Sequence, residues 1–368
     1  TYTSSLCVIN PYHGAVETCY FIEGNPGKMA VSDDGNFIYI GLAAAPRVVR
    51  FNLHTREVDR TIELGLGNYV ENIKVLSGNS TSIVVSRRKY GSSPKHNGVA
   101  VFDNQQQRPN TTPGHTGSNE ITFIHNGDMF GYNNESTEFG LRKLRIDSLG
   151  IYQENIYTNL ITGFRTTIEG QGDRIYSSRG RIVDASVTPP ILVGNIDLQT
   201  NSGPSAVEAA ADSNVVYYVT VNNSDYVNCQ LRTYDKTTFN LLNVYPIPYL
   251  TGGYDYIGDL ISWGGNDKLA FHTGAMIVII RACQSAVSAP LALDPAITGG
   301  CVGDTTIYSA PGSFPGYYWS NGYQGQHISL TQSGVYQVWA ADSTGCLGPA
   351  SNILTSIFTG RPHPPFIA

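Results

Sequence analysis

The chain has 368 residues, of which only 14% are charged, against roughly 25% in an average soluble domain. Hydrophobic residues make up 41%, which is enough for a folded core and excludes a disordered chain. The net charge of −6 and the absence of a long basic run exclude nucleic-acid binding. The longest apolar stretch, residues 275–280, is far shorter than the roughly 20 residues that span a bilayer.

Cysteine usage indicates the compartment. The cysteines are Cys7, Cys19, Cys229, Cys283, Cys301 and Cys346. An even number without CxxC spacing favours three disulfides in an oxidising compartment, the alternative being six buried free thiols. Low charge and many Tyr, Asn and Thr residues also favour an extracellular, secreted location. Because no leader pattern follows Thr1, we expect a removed signal peptide or a trimmed chain.

The first predicted strands are residues 5–10 and 15–22, separated by a turn. They have the pattern of the third and fourth strands of a repeat, and we expect them to complete the last repeat and close a ring. Cys7 could pair with Cys19 across this hairpin, or either could pair with Cys283.

A four-strand unit follows, with its clearest copy at residues 28–64. Asp34-Gly35 is a strong hairpin signal between its first two strands. Equivalent turns recur about every 40 to 50 residues, at Gly78-Asn79, Gly127-Asp128, Gly172-Asp173, Ser213-Asn214 and Asn266-Asp267. Third strands are expected at residues 99–103, 141–147, 191–197, 231–235 and 276–280, most of them ending in Asp or Asn before a turn.

This period is typical of the blades of a β-propeller. Six pairs of first and second strands predict six or seven blades over residues 1–283, and seven visible third strands favour seven. Residues 25–40, NPGKMAVSDDGNFIYI, resemble the YVTN-type β-propeller repeat. The resemblance implies a propeller and no particular activity.

Candidate chemistry in the propeller is sparse. The eight histidines form no metal-binding spacing, and no nucleophile motif occurs. The richest charge cluster is Glu169, Asp173, Arg174, Arg179 and Arg181, which could bind an anion at the central opening or be solvated loop charges. Residues 87–113 are a polar insert, expected to be an extended loop on one propeller face, where binding sites often lie. We predict no catalytic residues, metal or cofactor.

The composition changes after Cys283. Residues 284–295 are expected to form a linker, and residues 296–358 a small β-sandwich with Trp319 in its core. A Cys301–Cys346 disulfide would close a loop of about 45 residues, contributing roughly 3–4 kcal/mol. The chain is therefore all-β, a propeller followed by a sandwich.

The Cys301-x-Gly-Asp, Tyr-x-Trp319-Ser-Asn-Gly and Asp-x-x-Gly-Cys346 motifs closely resemble the Ig-like modules of large Bacteroidota surface proteins. The resemblance implies tandem modules on secreted proteins, and O-glycosylation at Asp-Ser/Thr motifs, here Ser148, Thr305 and Ser343. Residues 359–368 then represent a linker to a further module, a disordered terminus, or a donor-like assembly strand formed by Phe366, Ile367 and Ala368.

We therefore predict a non-catalytic, secreted structural or adhesive protein, a subunit or segment of a surface filament or larger adhesin. Its partners are expected to be copies of itself or neighbouring modules, with glycans or surface proteins as further candidates. A propeller enzyme (lyase, glycosidase or quinoprotein) is one alternative, and it requires His, Asp, Glu or Arg side chains clustered at one end of the channel. A glycan-binding module is the other, and it requires exposed aromatics converging on one face.

Overall fold

The computed structural model describes residues 4–11, 14–198, 205–221, 229–247, 257–264, 268–273, 276–281, 291–293, 298–302, 305–321, 323–343, 346, 348 and 351–356. The chain divides into two compact units, Thr1–Ile279 and Ile280–Ala368. No helix in these described ranges is long and apolar enough to cross a membrane.

The first unit opens with an antiparallel hairpin of β1 (Ser5–Ile9) and β2 (Val16–Phe21). Five antiparallel sheets and a shorter sixth sheet follow, each built from consecutive strands. Blade 1 contains β3 (Pro26–Val31), β4 (Phe37–Leu42), β5 (Arg47–Asn52) and β6 (Glu57–Glu63). Blade 2 contains β7 (Tyr69–Leu76), β8 (Asn79–Arg88), β9 (His96–Asp103), β10 (Gln106–Gln107) and β11 (Gly114–His115). Blade 3 contains β12 (Glu120–Phe123), β13 (Met129–Tyr132), β14 (Leu141–Asp147) and β15 (Gly150–Tyr157).

The remaining blades repeat this order. Blade 4 contains β16 (Ile168–Gln171), β17 (Arg174–Ser177), β18 (Arg181–Asp184) and β19 (Ile191–Asn195). Blade 5 contains β20 (Ser205–Ala209), β21 (Val215–Val221), β22 (Cys229–Asp235) and β23 (Leu241–Ile247). Blade 6 contains β24 (Ile261–Ser262), β25 (Lys268–His272) and β26 (Ile277–Arg281). The first strands of blades 1 to 5 contact one another in sequence, so they surround the central channel.

The all-β, six-bladed β-propeller is confirmed, and the preference for seven blades is wrong. The preference for seven came from counting β1 as the third strand of an additional blade. In the described part of the chain β1 pairs only with β2, as a separate sheet, and does not complete blade 6. Leu6, Tyr20 and Ile22 of this hairpin segment pack against the apolar face of β4 and β5. Burial of that face therefore explains the strand pattern without a seventh blade.

The second strand of each blade explains how blades stack. On β8, Ile83 and Val85 pack toward blade 1, while Val84 packs toward blade 3. Because side chains alternate across a strand, a strand between two blades must be apolar on both faces. This requirement accounts for the nearly continuous apolar runs of β4 and β21 and for the consecutive apolar residues Ile83, Val84 and Val85 in β8.

Glycine turns set the repeat. Gly35, Gly78, Gly127 and Gly172 all have positive φ and lie between the first and second strands of blades 1 to 4, as predicted. The Asn266-Asp267 turn lies outside the described residues. Third strands are confirmed except at residues 191–197. These residues include β19, the fourth strand of blade 4, because the true third strand, β18, has only two apolar residues and is easily missed.

The insert is also shorter than expected. Within residues 87–113, β9 is a regular third strand and β10 is a short piece that pairs with it, while β11, which also pairs with β9, follows directly. The remaining residues include two short connections, residues 89–95 between β8 and β9 and residues 108–113 between β10 and β11.

The second unit is all-β in its described residues. Its strands are β27 (Thr298–Val302), β28 (Thr305–Ser309), β29 (Gly316–Trp319), β30 (His327–Leu330), β31 (Gly334–Tyr336), β32 (Val338–Ala341) and β33 (Leu354–Ser356). They form sheets β27-β28-β30, β29-β32 and β31-β33. Trp319 is buried among Tyr308, Ile328 and Val338, as the sequence predicts for a core residue.

Candidate functional site

Each blade places at least one ionisable side chain on or beside its innermost strand, and β7 of blade 2 carries Glu71 as well as Lys74. One from each blade gives the set Lys28, Lys74, Glu120, Glu169, Glu208 and Asp259. We call them the channel ring. Electrostatic interactions link members that are not neighbours, since Lys74 acts on both Glu169 and Asp259. The ring is therefore one coupled set of charges.

Polar bonds join neighbouring innermost strands around the channel. They are Asn72 Nδ2 to Glu120 (2.5 Å), Gly170 N to Thr122 Oγ1 (2.8 Å), Ala209 N to Glu169 (3.0 Å), Ser262 N to Glu208 (3.0 Å) and Lys28 Nζ to Asp259 (2.6 Å). The last of these bonds closes the ring between blades 6 and 1. Edge amides that face the channel thus find acceptors on the next blade, as buried donors must.

The environment shifts the pKa of three ring carboxyls. Burial raises the pKa of Glu120 to about 7, although the Lys28 ammonium opposes the shift. Burial raises the pKa of Glu169 well above its usual range, and the adjacent Glu208 carboxylate adds to the shift. Burial would also raise the pKa of Asp259, but the charge and hydrogen bond of Lys28 hold it below the usual value. The ring therefore contains protonated and ionised carboxyls together near neutral pH.

The arrangement is suited to proton transfer. Within the described ranges no group of three His, Cys, Asp or Glu side chains could hold a metal ion. A protonated carboxyl beside an ionised one is the usual combination for acid–base chemistry. The same groups also accept backbone hydrogen bonds, so a structural role in joining blades accounts for them as well.

The charge cluster singled out in the sequence does not converge. Glu169 belongs to the channel ring, whereas Arg174 lies over the ring of Phe239. Arg181 donates to the carbonyls of Asn159 and Leu160. Glu120, Glu208 and Asp259 were missed by the sequence argument. The sequence feature that could have identified them is an acidic residue on, or just before, the first strand of successive repeats.

A second polar feature is a cleft of about 390 Å³ on the propeller face that carries the β8–β9 connection. It is lined by residues 92–95, 134–135 and 164–165, which come from three connections. The insert therefore contributes to a concave surface. Glu71, near the channel, is linked electrostatically to Glu135 and Lys95 of this cleft.

A third feature is the outer edge of blades 4 and 5. In blades 1, 4 and 5 the fourth strand carries one extra residue where the register shifts, opposite a point two residues before the third strand ends: Asp59, Val193 and Leu242. In blade 1 both Asp59 oxygens accept from Arg50, at 2.8 and 2.7 Å. In blades 4 and 5 neither β19 nor β23 contains a charged residue.

Aliphatic side chains on these two strands are exposed. The exposed fractions are Ile191 49%, Leu192 42%, Leu241 46%, Leu242 47% and Val244 39%. The two edges also meet, because the ring of Phe239, which lies beside β23, packs against Gly194 of β19. A Cβ atom on Gly194 would lie only 2.8 Å from this ring. We call β19, β23 and Phe239 the apolar rim.

The cysteines only partly follow the expectation. Cys7 and Cys19 form a disulfide across the β1–β2 hairpin. Cys229 is a free, buried thiol, so its predicted bridge is wrong; burial in β22 raises its pKa to about 12. Cys283 lies outside the described residues. Cys346 is disulfide-bonded, while the side chain of Cys301 is outside the described part, so their pairing stays a prediction.

The other predicted site residues are placed but untested. Ser148 is exposed in the β14–β15 turn, Ser343 is exposed after β32, and Thr305 begins β28 half-buried. Phe366, Ile367 and Ala368 lie outside the described residues.

Comparison with known proteins establishes the fold alone. The chain matches no protein-family model and no curated protein. Its first unit resembles solved propellers. Hydrazine synthase of Kuenenia stuttgartiensis is 12% identical, with TM-score 0.54 over 76% of this chain and 89% of that one. The Cps50 (Swd1) β-propeller domain of Myceliophteria thermophila is 13% identical, with TM-score 0.52 over 76% and 96%. U3-55K is 12% identical, with TM-score 0.53 over 76% and 89%. At these identities, what the chain shares with them is the propeller architecture.

Proposed function

We propose that the chain is a non-catalytic, secreted surface protein with a structural or adhesive role, which self-associates through the apolar rim. The observation that carries this proposal is the loss of charge from β19 and β23, compared with the charged β6 of the same propeller. The chain would then be a subunit or segment of a surface filament or larger adhesin.

Proteins normally protect the exposed edges of their sheets. An outermost strand offers unpaired backbone groups, and charged side chains normally block another strand from pairing with it. Blade 1 keeps this protection through Glu57, Asp59, Arg60 and Glu63. Blades 4 and 5 replace it with exposed aliphatics, which gain stability when covered by another chain.

Two further points support the surface location. The Cys7–Cys19 disulfide is typical of oxidising compartments. We also assign the first unit to the YVTN repeat type and the second unit to the Ig-like modules, on the sequence resemblances above. Modules of this kind occur in tandem on secreted proteins, so neighbouring modules, glycans or other surface proteins are further candidate partners.

The proposal is tested by sedimentation velocity over a wide concentration range. Wild-type protein should show an increase in mass with concentration. Leu242→Glu should weaken association by about tenfold or more, because it restores a charge where blade 1 has Asp59. Val58→Glu on β6 is the matched control, since Val58 is also an exposed aliphatic (41%) on an outer strand. A wild-type monomer at every concentration, or equal effects of both variants, would contradict the proposal.

A propeller enzyme is the second candidate, and the channel ring is the observation that favours it. Glu169 and Glu208 combine a raised pKa with an adjacent carboxylate, as glycoside hydrolysis requires of its two carboxyls. Turnover of a chromogenic glycoside that is lost in Glu169→Gln but kept in Glu63→Gln, an exposed control, would support the enzyme. Equal rates in both variants would count against it.

A further inference from the structure

The cleft on the β8–β9 face has walls fixed by hydrogen bonds between its three connections. Glu135 Oε2 accepts hydrogen bonds from the Lys95 backbone N–H (2.9 Å) and from Asn119 Nδ2 (3.0 Å), which ties blade 2 to blade 3. The Asn134 carbonyl accepts from the Arg165 N–H at 3.0 Å, and Asn134 Nδ2 donates to the Thr166 carbonyl at 3.2 Å. The three connections are therefore held together before any ligand arrives, as in most binding sites.

One wall of the cleft is aromatic. Phe164 is 49% exposed although it packs edge-to-face against Phe139, with ring centroids 4.9 Å apart. The contact with Phe139 fixes the ring while half of its surface stays in solvent. A fixed, exposed ring can bind a flat apolar surface at little entropic cost. The C–H face of a pyranose ring is such a surface.

The charges at the cleft favour an anion. Lys95 and Arg165 are exposed cleft residues, and within the described part of the chain neither forms a salt bridge. Glu135 is the one carboxylate among the lining residues, and its Oε2 already accepts two N–H groups. Two cations thus face one partly satisfied anion, and guanidinium and ammonium groups bind carboxylates well.

Behind Glu135 the protein has unmet hydrogen-bonding capacity. Asn119 is 1% exposed and its Nδ2 donates to Glu135, while its Oδ1 has no partner among the described residues. The Oγ of Ser118, also 1% exposed, has none either. These two atoms lie behind the cleft lining, so the polar group that a guest's hydroxyl groups can reach at this end is the Glu135 carboxylate.

We propose that the cleft binds a carboxylated sugar, a uronic-acid unit of a saccharide. The carboxylate is attracted by Lys95 and Arg165, the pyranose face lies on Phe164, and hydroxyl groups donate to the Glu135 carboxylate. The cleft shares no residue with the apolar rim. Sugar binding can therefore be disproved while self-association is confirmed, and self-association can be disproved while sugar binding is confirmed.

The test is isothermal titration calorimetry with a glucuronate-containing disaccharide and with the neutral disaccharide that has glucose in its place. The acidic disaccharide should bind about tenfold more tightly or better. Arg165→Gln and Phe164→Ala should each weaken its binding by about fivefold or more. Arg56→Gln is the matched control and should bind like the wild type. Arg56 is also exposed and has the same left-handed backbone, φ 59° against 57° for Arg165.

Several outcomes would overturn the site. These are no binding by the wild type, equal binding of the neutral disaccharide, and an equal loss in Arg56→Gln. Full competition by acetate at the same concentration would show a simple anion site without sugar recognition. Circular dichroism melting curves of each variant separate a lost site from a lost fold, because a variant that keeps the wild-type midpoint has lost only the site.

Discussion

Glu120 shows how the channel joins local chemistry to stability. It is 7% exposed and accepts from Asn72 Nδ2, and burial raises its pKa to about 7. The folded protein therefore binds this proton more tightly than the unfolded chain, in which the pKa is 4.5. The corresponding stability is fully present below pH 4.5 and is lost as the pH rises to about 7.

We therefore expect Glu120→Gln to flatten the pH dependence between 4.5 and 7. Glutamine keeps an acceptor for Asn72 but cannot ionise. Between pH 4.5 and 7 the free energy of unfolding should therefore decrease less in the variant than in the wild type, and the difference should reach up to roughly 3 kcal/mol. Denaturant titrations at stepped pH measure this difference. Glu63→Gln, at an exposed outer-strand position, should leave the curve unchanged. Parallel curves for wild type and Glu120→Gln would show that Glu120 ionises normally.

His96 predicts the opposite trend. It is 2% exposed, neither ring nitrogen has a partner in the described part of the chain, and its flat ring lies against Gly117. Burial, together with the positive charges of Arg142 and Arg87, lowers its pKa from 6.5 to about 3. Because the unfolded chain takes up this proton first, stability should fall as the pH drops from 6.5 toward 3.

In His96→Gln the free energy of unfolding should decrease less steeply on acidification than in the wild type. The slope should be smaller by up to about 1.4 kcal/mol per pH unit. The measurement is the thermal midpoint from pH 7 to pH 4. His54→Gln, an exposed histidine, is the control. If the two variants lose stability equally with acid, His96 is not the acid-sensitive group.

The residues of the channel ring could be predicted only in part. Glu169 drew attention because other charges lie near it in sequence, yet those charges point elsewhere in the fold. Glu120 and Glu208 lie about 40 to 50 residues on either side. They become neighbours only because each begins a blade, so the ring follows from the blade register and not from local motifs.

At the scale of elements, turns were predicted better than strand positions within a blade. A positive-φ glycine has a strong sequence signal, so Gly35, Gly78, Gly127 and Gly172 located four blades correctly. The third strand of blade 4 was missed because β18 is short and half polar, while β19 is apolar although it is an edge strand. That error arises because an apolar edge breaks the pattern expected of an outer strand.

Packing between blades gives a prediction at the same scale. A Cβ on Gly41 of β4 would lie 2.6 Å from the Cβ of Val70, which comes from blade 2. Gly41→Ala should therefore cost about 1–3 kcal/mol through overpacking. Val70→Ala in the same chain should recover part of this cost, measured as a double-mutant cycle by denaturant unfolding. Purely additive effects would mean that the two blades do not meet at this point.

For the whole molecule, the low charge of the chain has two structural consequences. Blades bury their second strands against each other, which requires apolar residues on both faces. Two outer strands also lack the charges that normally protect an edge. Composition could predict the first consequence. The second needed the register of the fourth strands, which showed that Val193 and Leu242 occupy the place of Asp59.

Electron cryomicroscopy of the concentrated protein tests self-association through the apolar rim most directly. We expect assemblies in which each propeller contacts the next through β19 and β23, and their loss in Leu242→Glu but not in Val58→Glu. Isolated propellers at high concentration, or assemblies whose contacts lie on β6 or β15 instead, would contradict the account.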